Sequence, residues 1–449
     1  MKTSLKLERK NEGIFKKISN YFEFTKHKTN YRTEILAGVS TFLALSYIFV
    51  VNPSILGEGG FNKSAVLFAT VITCFLATFI MSVWAKKPFA VAPGMEMNAY
   101  VAFFVILTLG FTWQQALGAV FWSGVIFMIL TLTNVRTKII NAIPDKMKSG
   151  LALCVGVFLM LIALRLAGVL LYSGVRIDGL GILFSPLAYV LYFGLALTLV
   201  LRKFKIPGAV LISIILSTIF AYILGLGGTA TPVKFSTEMF SAIFQFDLGV
   251  IFNVKMISVI LVLFLIDFYG SIAKFIGLTR GTTIINKDGT MPQMKEALSV
   301  DGAGTMVGAS LGTSSMVAYV ESAVGISEGG RTGFTAVVIS ILMLAMIFLT
   351  PLISLVPVIA TTGALFWVGI ALFPSREELK SYTKLDIITV LIMIGAVIWT
   401  FSIDRALLFG FSIFILGLLF TKRIKEINPF MIISTILLAL GWILSVLVN

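Results

Sequence analysis

Histidine and cysteine are nearly absent, and charge is sparse. The single histidine, His27, lies in a basic N-terminal stretch, so neither a histidine proton relay nor a His/Cys metal cluster can be assembled. The two cysteines, Cys74 and Cys154, fall inside apolar runs and imply neither a disulfide nor a metal site. The chain has no phosphate loop and no nucleophile motif, and no cofactor is expected. Charged residues make up 12% of the 449, against the ~25% usual in soluble domains.

What is abundant is apolar length. Hydrophobic residues are 58% of the chain, and mean hydropathy is +1.00. Apolar runs of about 20 residues recur from Thr33 onward, the signature of membrane helices. The expected class is an all-α polytopic membrane protein. The net charge of +14 does not imply nucleic acid. The bases cluster in the tail (Lys2, Lys6, Arg9, Lys10, Lys16, Lys17, Lys26, Lys28) and in alternate loops, which orients a membrane protein with its N-terminus cytoplasmic. The expected location is the plasma (inner) membrane. Within the tail, Ile14, Phe15, Ile18, Tyr21 and Phe22 suit either a short interfacial helix or an ordinary cytoplasmic tail.

The spans are read at 33–56, 64–84, 88–110, 113–132, 144–171, 186–201, 207–226, 251–278, 297–311, 332–350, 351–373, 384–401 and 406–420. A broken segment lies at 312–331, and the stretch 429–447 is a further span or a peripheral helix. A polar connection with a short surface helix is read at 227–250. Two spans are interrupted, one at Pro93-Gly94 and one at Glu321, at matching positions in two halves. Each reads as a short extended run followed by a half-helix. Matched breaks point to an inverted repeat with a binding site between them, although kinks for packing alone also occur in membrane helices.

These residues match a known family. The runs 41–53 (with Tyr47, Asn52 and Pro53), 92–100 (Pro93, Gly94, Asn98, Tyr100) and 312–333 (Tyr319, Val320, Glu321, Ser322, Gly329, Gly330, Arg331) resemble the adenine/guanine/hypoxanthine permeases of the nucleobase–cation symporters. The resemblance covers nearly all of the chain after the tail. It implies a seven-plus-seven inverted repeat. After the cytoplasmic tail (1–32), a core domain (33–132 and 251–350) would hold the ligand. A gate domain (133–250 and 351–449, with the C-terminal stretch as an extra helix) would pack against it. The gate domain of that family often forms a homodimer. Core moving against gate would give alternating access, usually with a co-transported proton.

Carried over by position, the family's ligand-binding glutamate falls on Glu321 and its half-helix asparagine on Asn98. Backbone amides near Met95–Met97 and Tyr319–Ser322 would complete the site. Asp267 keeps the first aspartate of the eighth span. Gly270 stands where the family has an acid facing the ligand, Lys274 where it has a threonine, and Glu96 where it has a glycine. Positions 267, 270 and 274 share one helical face, so Lys274 is expected to pair with Glu321, Glu96 or Asp267, or else to snorkel toward the interface about 9 Å away. Asp267 either tunes protonation or serves as a structural acceptor. Glu321 and Asn98 have simpler readings as helix caps. Phe268, Tyr269 and Tyr319 either stack on a ring or fill the core.

The leading reading is a proton-coupled purine permease. The altered eighth span leaves an anionic heterocycle or other small acid, carried without coupling, as the alternative. A membrane-embedded enzyme or a sensor is a third class, but neither a catalytic motif nor a signalling domain is present.

Overall fold

In the computed structural model the described residues are 13, 15–133, 145–173, 176–206, 208–227, 237–279, 282–286, 291–353 and 355–447. The bases Lys2, Lys6, Arg9, Lys10, Arg136, Lys138, Arg280 and Lys287, together with Ile14 and Pro207, lie outside them.

The first half runs α1 (Tyr31–Leu45), α2 (Ile48–Glu58), α3 (Lys63–Ile80), β1 (Val91–Pro93), α4 (Met95–Ala99), α5 (Trp113–Leu132), α6 (Asp145–Leu166), β2 (Leu170–Ser173), β3 (Arg176–Leu180), α7 (Pro186–Lys203) and α8 (Ala209–Ile223). The second half runs α9 (Val254–Thr279), α10 (Met294–Leu311), β4 (Met316–Ala318), α11 (Ser322–Ser327), α12 (Gly333–Ala345), α13 (Thr362–Ala371), α14 (Lys384–Thr400), α15 (Ile403–Phe420) and α16 (Pro429–Leu447). Among the described residues, 7 helices are long and apolar enough to cross a membrane, and several shorter apolar helices accompany them. The chain is a multi-pass membrane protein.

The centre is a two-stranded antiparallel ribbon from opposite halves. Val91 pairs with Ala318, Ala92 with Val317 and Pro93 with Met316. All six residues are buried. Extended backbone inside a membrane protein must find partners within the protein, and here it does. Tyr319 N–H donates to Ala90 O at 2.9 Å, and Gly94 N–H donates to Ser315 O at 2.9 Å. Ala90 N–H donates to Ser322 Oγ at 3.1 Å, and Val91 N–H to Thr78 Oγ1 at 3.0 Å. Gly312 (φ +102°) makes the left-handed turn that leads α10 into β4, a conformation open to glycine without steric cost.

The halves are bound through small and hydroxyl residues of α1. A Cβ on Gly325 would sit 2.4 Å from Ala37 O, and Gly325 N–H donates to Thr41 Oγ1 at 3.2 Å. Glu34, fully buried, accepts from Arg331 N–H (3.0 Å), Thr332 N–H (3.3 Å), Thr332 Oγ1 (2.9 Å), Thr335 N–H (3.2 Å) and Thr335 Oγ1 (2.5 Å). It is a carboxylate set on the first turn of α12, where free N–H groups and the helix dipole favour it.

The structure departs from the sequence reading in several places. The hairpin β2–β3 follows α6, where the sequence reading had only the end of a span and a loop. The stretches read as continuous spans at 332–350 and 351–373 are interrupted: α12 tightens into 3₁₀ turns at Met346–Leu349, Thr350–Ile353 is a separate short helix, and Val358–Thr361 is a 3₁₀ turn before α13. Pro351 and Pro357 explain this, since proline cannot donate to a helical ladder. In the polar connection, Thr237–Phe240 and Leu248–Phe252 are short 3₁₀ segments, and 228–236 lie outside the described residues. The tail folds onto the body: Tyr21 donates to Val83 O at 2.6 Å, and Phe22 and Phe24 pack on Phe334.

Candidate substrate site

Beyond the ribbon lies a cavity with about 340 Å³ of empty space, lined by Tyr47, Met95, Glu96, Lys274, Tyr319, Val320, Glu321, Val368 and Leu372. Both interrupted segments reach it. Glu96 is the third residue after the end of β1, and Glu321 is the third after the end of β4. The two glutamates therefore hold equivalent places in the two halves.

Their partners differ. Glu321 Oε1 accepts from the Tyr47 hydroxyl at 2.8 Å, and Tyr47 is 1% exposed where α1 gives way to α2. Glu96 Oε1 is 3.2 Å from Lys274 Nζ, with side-chain exposures of 12% and 14%. Of the partners open to Lys274, the geometry selects Glu96. The Tyr319 hydroxyl donates to Pro93 O at 2.6 Å, so this ring ties β4's continuation to β1 while one face borders the cavity.

Behind the cavity a second layer fixes the ribbon. Asp267 Oδ2 accepts from Ser315 Oγ in a short contact and from Thr305 Oγ1 at 3.1 Å. Thr305 Oγ1 in turn accepts from Met316 N–H at 3.0 Å. Asp301 Oδ2 accepts from Ser271 Oγ at 2.6 Å and from Ala318 N–H at 3.3 Å. Both side chains are buried, and the second oxygen of each, Oδ1, has no hydrogen-bond partner. Asn52 Nδ2 donates to Thr70 Oγ1 (2.6 Å) and Thr313 Oγ1 (2.9 Å), holding the turn before β4 to the first half.

The remaining sequence candidates stand around this centre. Asn98 is fully buried, and neither its Oδ1 nor its Nδ2 has a hydrogen-bond partner. Asn98 caps nothing, because Gly94 starts α4 without a side-chain cap. Met97 is buried beneath Gly94. Ser322 spends its hydroxyl on Ala90 N–H. Phe268 packs edge-on to Phe127 and beside Phe264, away from the cavity lining. Gly270, one turn before Lys274, faces open space: a Cβ there meets no atom within 4 Å. The side chain of Tyr269 lies outside the described residues. Sequence reasoning missed Tyr47, Asp301 and Glu34. The last two carry the general signal of an acid within or beside an apolar run.

Residues 32–404 match the xanthine/uracil permease model, described as a permease family. The chain belongs to this permease family. Its members are transporters and not enzymes. The chain is 37% identical over 431 residues to a putative permease, MJ0326, of Methanocaldococcus jannaschii, covering 96% of this chain and 99% of that one. It is 33% identical over 429 residues to the adenine permease AdeP of Escherichia coli, covering 96% of each. It is 32% identical over 425 residues to the guanine/hypoxanthine permease PbuO of Bacillus subtilis, covering 93% of this chain and 98% of that one. In fold it is similar to the transmembrane domain of the cyanobacterial bicarbonate transporter BicA, with TM-score 0.59 at 15% identity, covering 91% and 97%. It is also similar to the murine anion transporter Slc26a9, with TM-score 0.58 at 13% identity, covering 87% of this chain and 69% of that one.

Proposed function

We propose that this permease carries a purine nucleobase (adenine, guanine, hypoxanthine or xanthine) across the plasma (inner) membrane together with a proton. The observation that carries the reading is the cavity itself. Two carboxylates at equivalent positions, Glu96 and Glu321, face one space beside a ribbon that only the two halves together can form. Glu321 accepts a ring N–H of the base. Tyr47 orients Glu321 and bridges it to α1 and α2. Met95 and Val320 give the apolar walls that a flat heterocycle needs.

Seven of the lining residues belong to segments 33–132 and 251–350, the core domain of this proposal. Val368 and Leu372 come from 351–449, the gate. Sliding of core past gate would open that wall to either side in turn, as broken-helix transporters do around a fixed site. The inward side is the one bearing the N-terminal tail. Relatives named for adenine and for guanine/hypoxanthine support a purine over an anionic heterocycle.

The test is uptake of radiolabelled bases by purified protein in liposomes, with an imposed pH gradient and with an uncoupler. Accumulation of a purine that the uncoupler abolishes supports the reading. Failure of every purine to enter or to compete overturns it.

A further inference from the structure

The cavity holds three charged side chains, and they are not equivalent. Glu96 and Lys274 form an ion pair at 3.2 Å, while Glu321 accepts from the neutral Tyr47 hydroxyl at 2.8 Å and is in no ion pair among the described residues. We infer that Lys274 is a built-in counter-ion for Glu96, so that the cavity presents one uncompensated carboxylate and each nucleobase travels with one proton, carried on Glu321. This rests on the nucleobase-transport reading above and specifies its coupling.

The two buried aspartates behind the ribbon, Asp267 and Asp301, do not line the cavity. From α9, Asp267 lies two turns before Lys274; its Oδ2 accepts from Ser315 and Thr305, and its buried Oδ1 has no hydrogen-bond partner. From α10, Asp301 Oδ2 accepts from Ser271 and Ala318 N–H, and its buried Oδ1 has no hydrogen-bond partner. Tyr47 and Tyr319 face the cavity with hydroxyls already donated, to Glu321 and to Pro93 O. From the gate, α6 packs on α4 with its charged residues confined to its ends (Asp145, Lys146, Lys148, Arg165) and Cys154 in its middle. The charges of Lys274 and, more weakly, of Arg202 at the end of α7 also reach Glu321 without an ion-pair contact. Among the described residues, Lys274 is the one base lining the cavity.

The position of Lys274 also suits the task. An ammonium taken out of water is held only where a carboxylate repays the lost hydration, and both members stay about seven-eighths covered. Gly270, one turn away, leaves open space beside it, so the lysine stem can move with Glu96 as the half-helix α4 shifts. Two carboxylates in one cavity without this lysine would resist joint ionisation, and one would have to take up a proton.

The experiment compares wild type, Lys274→Met, Glu96→Gln and the double variant in proteoliposomes. It measures the proton-to-base ratio from the reversal potential and the pH profile of uptake. Size-exclusion chromatography and nucleobase binding at acid pH confirm folding. Wild type is expected to give a ratio of one. Lys274→Met should lose uptake at neutral pH, recover it at lower pH with the profile moved to acid by about one to three units, and give a ratio of two. The double variant should return to a ratio of one and the wild-type profile, because it removes both charges. A Lys274→Met protein with the wild-type ratio and profile overturns the inference, and so does a folded double variant that keeps the acid-shifted profile. Wild type that transports bases at a ratio other than one overturns this inference and spares the transport reading. Wild type that transports no base overturns both.

Discussion

Glu96 and Glu321 lie 225 residues apart in sequence, yet each is the third residue beyond a three-residue strand, and the two strands are paired. From that relationship the roles diverge: one glutamate meets an ammonium and the other a phenol.

Glu321→Gln keeps the Tyr47 hydrogen bond through its amide oxygen but cannot carry a proton or a charge. Uptake should fall by at least about a hundredfold, the order expected when a single proton-transferring group is lost. The folded yield should be unchanged. The measurement is initial uptake rate beside thermal unfolding. Full activity in that variant removes Glu321 from the site.

Asp301→Ala removes the acceptor shared by Ser271 and Ala318 N–H. Stranding buried donors costs about 1–3 kcal/mol, so the unfolding temperature should drop. Because Ala318 pairs with Val91, base affinity should weaken as well. Equal stability in detergent would mean the contact contributes nothing.

Gly325→Val drives a side chain into Ala37 O and Thr41 Oγ1. Overpacking at such a contact costs about 1–3 kcal/mol, and here it pushes α11, and Glu321 just before it, away from α1. Both stability and affinity should decline. Gly60→Ala, at a left-handed turn (φ +84°) with no atom within 4 Å of an added Cβ, should cost about 1–2 kcal/mol of stability through backbone strain yet leave affinity intact.

Lys87 follows the second span and is 4% exposed. Burial, followed by the field of Lys26, lowers its pKa to about 8. The unfolded chain holds that proton up to the ordinary lysine range near ~10.4. Below about pH 8 both states are protonated and the cost of burying the ammonium is constant. Between about 8 and 10 the unfolded state binds more protons, so stability should rise with pH. The unfolding midpoint should therefore increase over that window in wild type and stay flat in Lys87→Met. Parallel profiles would contradict the assignment.

Much of this centre is legible in the sequence. Composition gives the membrane class because a bilayer demands long apolar helices. The break at Pro93-Gly94 is visible because proline and glycine cannot continue a helix without cost. Glu321 stands out as an acid amid apolar sequence, and the face shared by Asp267, Gly270 and Lys274 follows from the helical repeat. Lys274 could only be narrowed to three acids or to snorkelling toward the interface, since local periodicity carries no information about a contact spanning 178 residues. Tyr47 was hidden for the same reason: its bond to Glu321 joins residues 274 apart. Asp301 and Glu34 sat in stretches read as ordinary span ends, and their meaning depends on backbone N–H groups that only the folded chain brings near. The β2–β3 hairpin escaped because Leu170, Leu171 and Tyr172 continue the apolar run of α6 and mask the change of period.

The most direct test of the site is protection of a thiol placed within it. Val320 is 44% exposed and lines the cavity, whereas native Cys74 and Cys154 are fully buried. A Val320→Cys protein that still transports should react with a maleimide, and a saturating purine should slow that reaction in proportion to its occupancy. Labelling at the same rate with and without a purine that the protein demonstrably transports would place the substrate elsewhere and contradict the account.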